Sequence, residues 1–247
     1  PINRGFKQTV TMPFSGGDNW TQQSYVPHYD KTLWLENGKE ISVPEGFYSS
    51  KFIVDKAIQQ LDNNQKTHEG KRKPFFSYVS FQAVHIPLQA PEEFTEKYIG
   101  SYREGWHALR KNRQNAVKDL GLIPASVPMK RMATTDDWDN LSEEKKRYND
   151  KRMAVYAGMV DAMDYHIGRL IQYLKESGQY DNTVIIFTSD NGPAASDVPL
   201  LWIKALGYNR DYETLGERYS YGTIGASFGS AVASPLGHYK FHSGEGG

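Results

Sequence analysis

The sequence predicts an α/β fold with a mainly parallel sheet flanked by helices. A helical pattern over 51–63 precedes an aromatic, β-branched run at 75–81, and a second helical pattern over 143–177 precedes an apolar run at 184–189. Repeated helix–strand units favour parallel strands that helices cover on their faces. The 247 residues are 38% hydrophobic, so the chain can bury a sizeable core.

The first elements are predicted from turn and cap signals. Residues 1–29 are rich in glycine, proline and polar side chains, which predicts irregular surface chain. Asn37 and Gly38 separate two short β-type runs and suit the two positive φ angles of a type I′ turn, so a hairpin over 32–43 is predicted. The helix over 51–63 follows because its apolar residues share one face: Ile53, Val54, Ala57, Ile58 and Leu61.

Three helical segments are predicted between the two apolar runs. The segment 91–94 has the chemistry of a helix start, and 101–120 is predicted to be a basic helix that faces solvent. The pattern over 143–177 is the longest in the chain, and Gly178 is placed to end it. Its methionines, at 153, 159 and 163, are interpreted as core. The chain after 192 is expected to be rich in loops.

Polar residues follow both predicted strands. Asp190 and Asn191 end the run at 184–189, and a carboxylate beside an amide oxygen suits a hard cation such as Ca²⁺ or Mg²⁺; a solvated Asp-Asn-Gly turn is the alternative. His85 follows the run at 75–81 and is either a packing residue or a catalytic one. Lys240 lies in a glycine-rich segment, where an exposed lysine is the simpler interpretation.

Composition excludes several classes of site. Lysine plus arginine and aspartate plus glutamate both number 29, so no basic excess indicates a nucleic-acid partner. There is no cysteine, which excludes disulfides, cysteine-ligated zinc and a thiol nucleophile within these residues. No apolar run approaches the length of a membrane span. The chain begins Pro1-Ile-Asn-Arg4, and we expect it to be part of a longer protein.

Four ordered motifs resemble one known family. They are the Ala-Val-His-Ile-Pro-Leu-Gln-Ala-Pro segment at 83–91, the helix at 156–168, the Thr-Ser-Asp-Asn-Gly segment at 188–192, and Tyr239-Lys240 followed by Gly-Glu-Gly-Gly at 244–247. Together they are similar to type I sulfatases of the alkaline phosphatase superfamily, and most similar to bacterial arylsulfatases. The resemblance covers nearly the whole chain and implies that residues 1–247 are part of one sulfatase catalytic domain.

The resemblance implies a role for each matching residue. Asp190 and Asn191 match calcium ligands, His85 matches the histidine near the leaving oxygen of the sulfate ester, and Lys240 matches the lysine that contacts the sulfate. The family nucleophile is a formylglycine made from a Cys/Ser-x-Pro-x-Arg motif, which is expected in an N-terminal segment outside this chain. The segment 126–130 resembles that motif only by chance, because Lys130 replaces its arginine. The chain alone is therefore expected to be inactive.

Three alternatives stay open on the sequence alone. The same metal pair and anion contacts suit a phosphonate or phosphate monoester hydrolase of the superfamily. A noncatalytic module that binds sulfated glycans is possible from a different class, as is a structural fragment with no ligand. The resemblance implies a small-molecule or glycan sulfate ester as substrate and export to a periplasm or beyond.

Overall fold

A computed structural model of the protein describes residues 1–66, 73–130, 132 and 136–247. Its helices within that range are α1 (Ser49–Lys66), α2 (Glu92–Thr95), α3 (Gly105–Asp119), α4 (Glu143–Glu176), α5 (Leu200–Ala205) and α6 (Gly225–Val232). Its strands are β1 (Val10–Thr11), β2 (Trp34–Glu36) and β3 (Lys39–Ile41). Short 3-10 turns lie at Ile2–Arg4, Glu96–Tyr98 and Tyr180–Asn182.

The chain divides into two units of internal contacts. Unit 1 comprises Pro1–Val84 and Val160–Ile185, and unit 2 comprises His85–Met159 and Ile186–Gly247. The helices of both predicted helix–strand pairs are confirmed, because α1 and α4 cover the expected ranges. Gly178, at φ 66°, follows the end of α4 as predicted.

Unit 1 contains the predicted hairpin. Strands β2 and β3 pair antiparallel with Glu36 opposite Lys39. Asn37 and Gly38 have φ angles of 52° and 83°, as a type I′ turn requires, so this prediction is confirmed. Strand β1 also pairs with β2, although its segment was predicted to be irregular. A strand of two residues is too short to show the alternation that a sequence pattern needs.

The hairpin packs against α1 through aromatic rings. Trp34 from β2 lies edge-on to Phe52 of α1 with ring centroids 5.2 Å apart, and both contact Phe47. All three side chains are buried. Aromatic pairs in this edge-to-face arrangement add stability beyond the area that they bury. The predicted apolar face of α1 is therefore a core face, with Val54, Ala57 and Leu61 buried along it.

Unit 2 is built around a second aromatic cluster. Trp106 of α3, Trp138 and Phe228 of α6 have ring centroids 4.8–6.0 Å apart. Trp106 and Gln114 are buried together with Arg110, so the prediction that α3 simply faces solvent is wrong. Basic residues dominate its composition, but a helix needs only one apolar stripe to pack.

The predicted parallel sheet is not observed among the described residues. The segments 75–81 and 184–189 form no strand, and Phe76, Val184 and Ile186 are 79%, 88% and 82% exposed. Parallel pairing in the described part is limited to isolated bridges. A parallel strand depends on hydrogen-bonded neighbours at its edges, and neither segment has such a neighbour among the described residues.

The C-terminal part of the chain is more helical than predicted. Helices α5 and α6 lie in the region expected to be loops. The glycine-rich segment 221–229, which we did not interpret as a dinucleotide loop, leads into α6, and its Tyr221, Ile224 and Phe228 are fully buried. No helix in the described ranges is long and apolar enough to cross a membrane.

A buried histidine in unit 1 links stability to pH. His166 of α4 is 6% exposed, and its Nδ1 accepts a hydrogen bond from Arg169, whose Nη2 also donates to Asp55 at 2.6 Å. Burial and the Arg169 charge lower the pKa of His166 to about 4. The folded protein therefore holds this imidazole neutral.

We expect the protein to lose about 1–2 kcal/mol of stability through His166 as pH falls from 6.5 toward 4. Over that range the unfolded chain binds the proton more tightly than the folded chain does, so stability falls with pH. His166→Asn keeps an acceptor for Arg169 but does not titrate. Urea unfolding at a series of pH values should give a flatter profile for the variant over this window, and parallel profiles would contradict the assignment.

Candidate active site

His85 is held by the buried segment that follows it. Residues 86–90 are all buried. Two backbone hydrogen bonds fix this segment, from Leu88 N to Gly222 O at 2.9 Å and from Ala90 N to Gly216 O at 3.0 Å. The imidazole therefore projects from the start of a firmly packed stretch of chain.

Lys240 is placed by a close approach of two backbones. Its amide donates to the carbonyl of Pro193 at 3.1 Å. A Cβ on Gly192 would overlap the carbonyl oxygen of Gly246, so only glycine allows the turn after Asp190 to meet the C-terminal segment. The segment is also tied by Glu245, which forms an ion pair with Lys130 at 2.8 Å.

Arg110 supports the same segment from α3. Its Nη1 donates to the carbonyl of Ser230 at 2.8 Å, and its Nη2 donates to the carbonyls of Lys130 at 2.8 Å and Leu236 at 3.2 Å. The hydroxyl of Ser234 donates back to the Arg110 carbonyl. Burial lowers the pKa of Arg110, but a guanidinium stays charged at neutral pH. One buried cation thus ties α6 and the chain that follows it to the segment at Lys130.

The structure brings His85 and Lys240 into direct contact. Lys240 Nζ lies 3.3 Å from His85 Nε2, and His85 Nδ1 lies 3.0 Å from the carbonyl of Ile86. That carbonyl requires a proton on Nδ1, so Nε2 accepts from the ammonium. Burial lowers the pKa of His85, and the Lys240 charge lowers it further, while the hydrogen bond to the Ile86 carbonyl and the charge of Asp190 act in the opposite direction. The imidazole is therefore neutral beside a cation.

Asp190 and Asn191 keep their oxygens available. Both residues are exposed. The amide nitrogen of Asn191 donates to the carbonyl of Gly192 at 2.8 Å, which leaves Oδ1 as its unused acceptor. Neither the Asp190 carboxylate nor this Oδ1 has a hydrogen-bond partner among the residues that the structure describes. Such a donor set suits a hard cation.

These two oxygens supply only part of a coordination shell. A calcium ion takes six to eight oxygen ligands. The described residues contain no group of three or more His, Cys, Asp or Glu side chains placed to hold a metal. Any cation at Asp190 and Asn191 would need ligands from elsewhere.

All four predicted site residues lie in unit 2. His85 and Lys240 touch, and Asp190 acts on His85 through its charge. Sequence reasoning missed the part played by Gly246, whose carbonyl lies against Gly192. The available signal was the cluster of glycines at 244–247, because a close approach of two backbones often requires glycine on both sides.

Comparison with known proteins identifies the family. Residues 3–214 match the sulfatase family. The chain belongs to the sulfatase family. This confirms the resemblance seen in the sequence motifs and places the chain in a family of hydrolases within the alkaline phosphatase superfamily. The individual roles of His85, Lys240, Asp190 and Asn191 stay predictions.

Several relatives align with this sulfatase chain. An uncharacterized sulfatase of Schizosaccharomyces pombe is 37% identical over the whole chain and 46% of its own length. An arylsulfatase of Klebsiella aerogenes is 30% identical over the whole chain and 53% of its own length. A multifunctional alkaline phosphatase superfamily protein of Trinickia caryophylli is 26% identical over 78% of the chain and 38% of its own length. The chain thus spans about half the length of the first two relatives.

A solved structure is also similar. It is the crystal structure of Ps i-CgsB in complex with k-i-k-neocarrahexaose, 27% identical over 78% of this chain and 34% of that one, with a TM-score of 0.46. That structural likeness is too weak to carry an argument about this chain.

We expect Gly192→Ala to destabilise the protein by about 1–3 kcal/mol or more. The new methyl group would overlap the backbone of Gly246, which has no flexible side chain that can yield. The turn at Gly192 and the segment that carries Lys240 would have to separate. Urea unfolding measures the loss.

The matched control is Gly168→Ala, the same substitution inside α4. A Cβ there meets nothing within 4 Å. Alanine favours a helix over glycine by up to about 1 kcal/mol, so this variant should be neutral or more stable. Equal effects of the two substitutions would contradict the close approach at Gly192.

Proposed function

We propose that the full-length protein hydrolyses sulfate monoesters, and that this chain supplies the side of the active site that meets the anion. The contact of Lys240 with His85 at 3.3 Å carries the proposal, because it places a cation and a titratable ring at one point in a member of the sulfatase family. The arylsulfatase relative supports the same reaction.

The two side chains suit the charge of the reaction. A sulfate monoester is an anion, and its hydrolysis places further charge on the leaving oxygen. Lys240 stabilises the sulfate oxygens with its ammonium. The approach of an anion raises the pKa of His85 and favours its doubly protonated form, with Nδ1 still held by the Ile86 carbonyl. Nε2–H then donates to the leaving oxygen.

Asp190 and Asn191 are assigned to a Ca²⁺ site in this proposal, with Mg²⁺ the weaker candidate. Their unused oxygens support the assignment. When bound, the cation would offset negative charge on the sulfate group. The remaining ligands and the formylglycine nucleophile are assigned to parts of the protein outside these 247 residues, which contain no cysteine. The chain alone is therefore expected to release no sulfate.

The substrate class is a sulfate ester of a small molecule or a glycan. The anion contacts would accept a phosphate or phosphonate ester as well, since all three are tetrahedral oxyanions. An aryl sulfate and the matching aryl phosphate, assayed with the full-length protein, separate these reactions. Turnover of the phosphate without turnover of the sulfate would overturn the proposal.

We expect Lys240→Ala to lower kcat/KM for an aryl sulfate by about 100- to 1,000-fold. The variant loses a donor aimed at the developing charge, so kcat should fall more than KM rises. Lys204→Ala, on an exposed face of α5, is the control and should match the parent. Steady-state kinetics of the full-length protein measure both, and an unchanged kcat for Lys240→Ala would refute the role.

We expect Asp190→Asn to weaken Ca²⁺ binding by the full-length protein by about tenfold or more, because one charged ligand is lost. Asp181→Asn, at an exposed 3-10 turn, is the matched control. Calorimetric titration with Ca²⁺ measures both variants without any turnover. Equal affinities would remove Asp190 from the metal site.

A further inference from the structure

Unit 2 contains a polar cavity that the proposed reaction does not use. It has a volume of about 310 Å³ and is lined by Tyr148, Arg152, Asp197, Arg210 and Thr223. None of these residues belongs to the candidate active site. The lining includes two guanidinium groups and one carboxylate, so the cavity carries a net positive charge.

Arg152 is the unusual group in this cavity. Its Nε is shielded from solvent and has no hydrogen-bond partner among the described residues. Arg152 forms no ion pair with any described residue either. Burial lowers its pKa to about 10, so the guanidinium is still charged at neutral pH. A shielded cation without a bonded anion is costly, and such groups are normally paired.

Arg210 provides a second guanidinium, and only some of its N–H groups have hydrogen-bond partners among the described residues. Its Nη2 donates to the carboxylate of Asp197 and to the carbonyl of Val198. Its Nε is shielded and has no partner in the described part of the chain. The guanidinium lies over the ring of Tyr221, 5.6 Å from the centroid, which helps to hold its plane. Asp197 therefore pairs with Arg210, whereas Asp197 and Asp136 act on Arg152 through their charges without a bond to it.

The backbone also makes room at Arg152. A Cβ on Gly225 would lie 3.0 Å from Arg152 Nη2, and Gly225 has a φ of 67°. Glycine thus allows the guanidinium to lie against the start of α6. Nearby, Thr223 Oγ1 accepts a hydrogen bond from the Gly225 amide at 3.0 Å, which leaves its hydroxyl proton available to donate.

We propose that this cavity binds a tetrahedral oxyanion, with Arg152 as its main contact and Arg210 and Thr223 as further donors. A sulfate group matches the planar donors of a guanidinium and supplies the negative charge that the cavity lacks. The ligand is either free sulfate or a sulfate group on a larger sugar. A neighbouring groove of about 520 Å³ shares Tyr148 and Arg152, so a larger molecule has space beside the anion.

The site is independent of the proposed hydrolysis, because it shares no residue with the pair His85 and Lys240. Its test is accordingly a binding measurement. Crystals of the full-length protein soaked in selenate, a sulfate analogue that scatters anomalously, should give an anomalous peak between Arg152 and Arg210. Absence of a peak there, with one present beside Lys240, would overturn the site and leave the proposed function standing.

Titration of the full-length protein with inorganic sulfate gives the energetic test. In a Lys240→Ala background, which removes the principal anion contact of the active site, Arg152→Gln should weaken sulfate binding by about tenfold or more, and Arg152→Lys should weaken it less. Arg113→Gln, on an exposed face of α3, is the control and should have no effect. Equal affinity with and without Arg152→Gln would refute the proposal.

A second variant keeps the test valid if the first does not fold, and a second ligand identifies the source of the anion. Arg210→Gln serves as a second variant if Arg152→Gln does not fold, and it should also weaken binding. A sulfated disaccharide is titrated in parallel with inorganic sulfate. Tighter binding of the disaccharide, lost in Arg152→Gln, indicates a sulfated glycan, whereas binding of inorganic sulfate alone indicates the free ion. Binding of neither overturns the site.

Discussion

The buried guanidinium of Arg110 is the contact on which the C-terminal part of unit 2 depends. It donates to three backbone carbonyls from two distant parts of the sequence, Lys130 in one and Ser230 and Leu236 in the other. Each carbonyl would cost about 1–3 kcal/mol if it were left buried without a donor. A neutral side chain cannot replace a planar cation with five donors. The position of Lys240, four residues beyond Leu236, follows from this arrangement.

The sequence predicted those parts of the fold that local chemistry determines. The turn at Asn37 and Gly38 needs two positive φ angles, which is a property of the two residues themselves. Helix α4 follows from apolar residues at every third or fourth position. Helix α6 was missed because two glycines, two serines and a valine in eight residues are weak helix formers, and because its pattern does not show that Phe228 is buried. The strands expected at 75–81 and 184–189 are absent, because a strand forms only when residues far away in the sequence pair with it.

The candidate site was predictable to a similar extent. The motif order pointed to His85, Asp190, Asn191 and Lys240, and the structure places the first and last of these in contact. The glycines at 244–247 are a local signal of a close backbone approach, but they do not identify Gly192 as the partner, because the closeness of two backbones is a tertiary property. The cavity at Arg152 could not be predicted from the sequence either. An arginine on a charged helix face looks like any solvated residue until its partners, or their absence, can be counted.

The exposed run from Val184 to Phe187 has a consequence for handling the protein. Its four apolar residues are β-branched or aromatic, carry no charge and include no proline. A segment of this kind pairs readily with a copy of itself on another molecule, backbone to backbone. Self-association through it grows with concentration and is not suppressed by net charge, which is zero at pH 7. We therefore expect self-association through this run to limit the concentration at which the chain can be handled when it is purified alone.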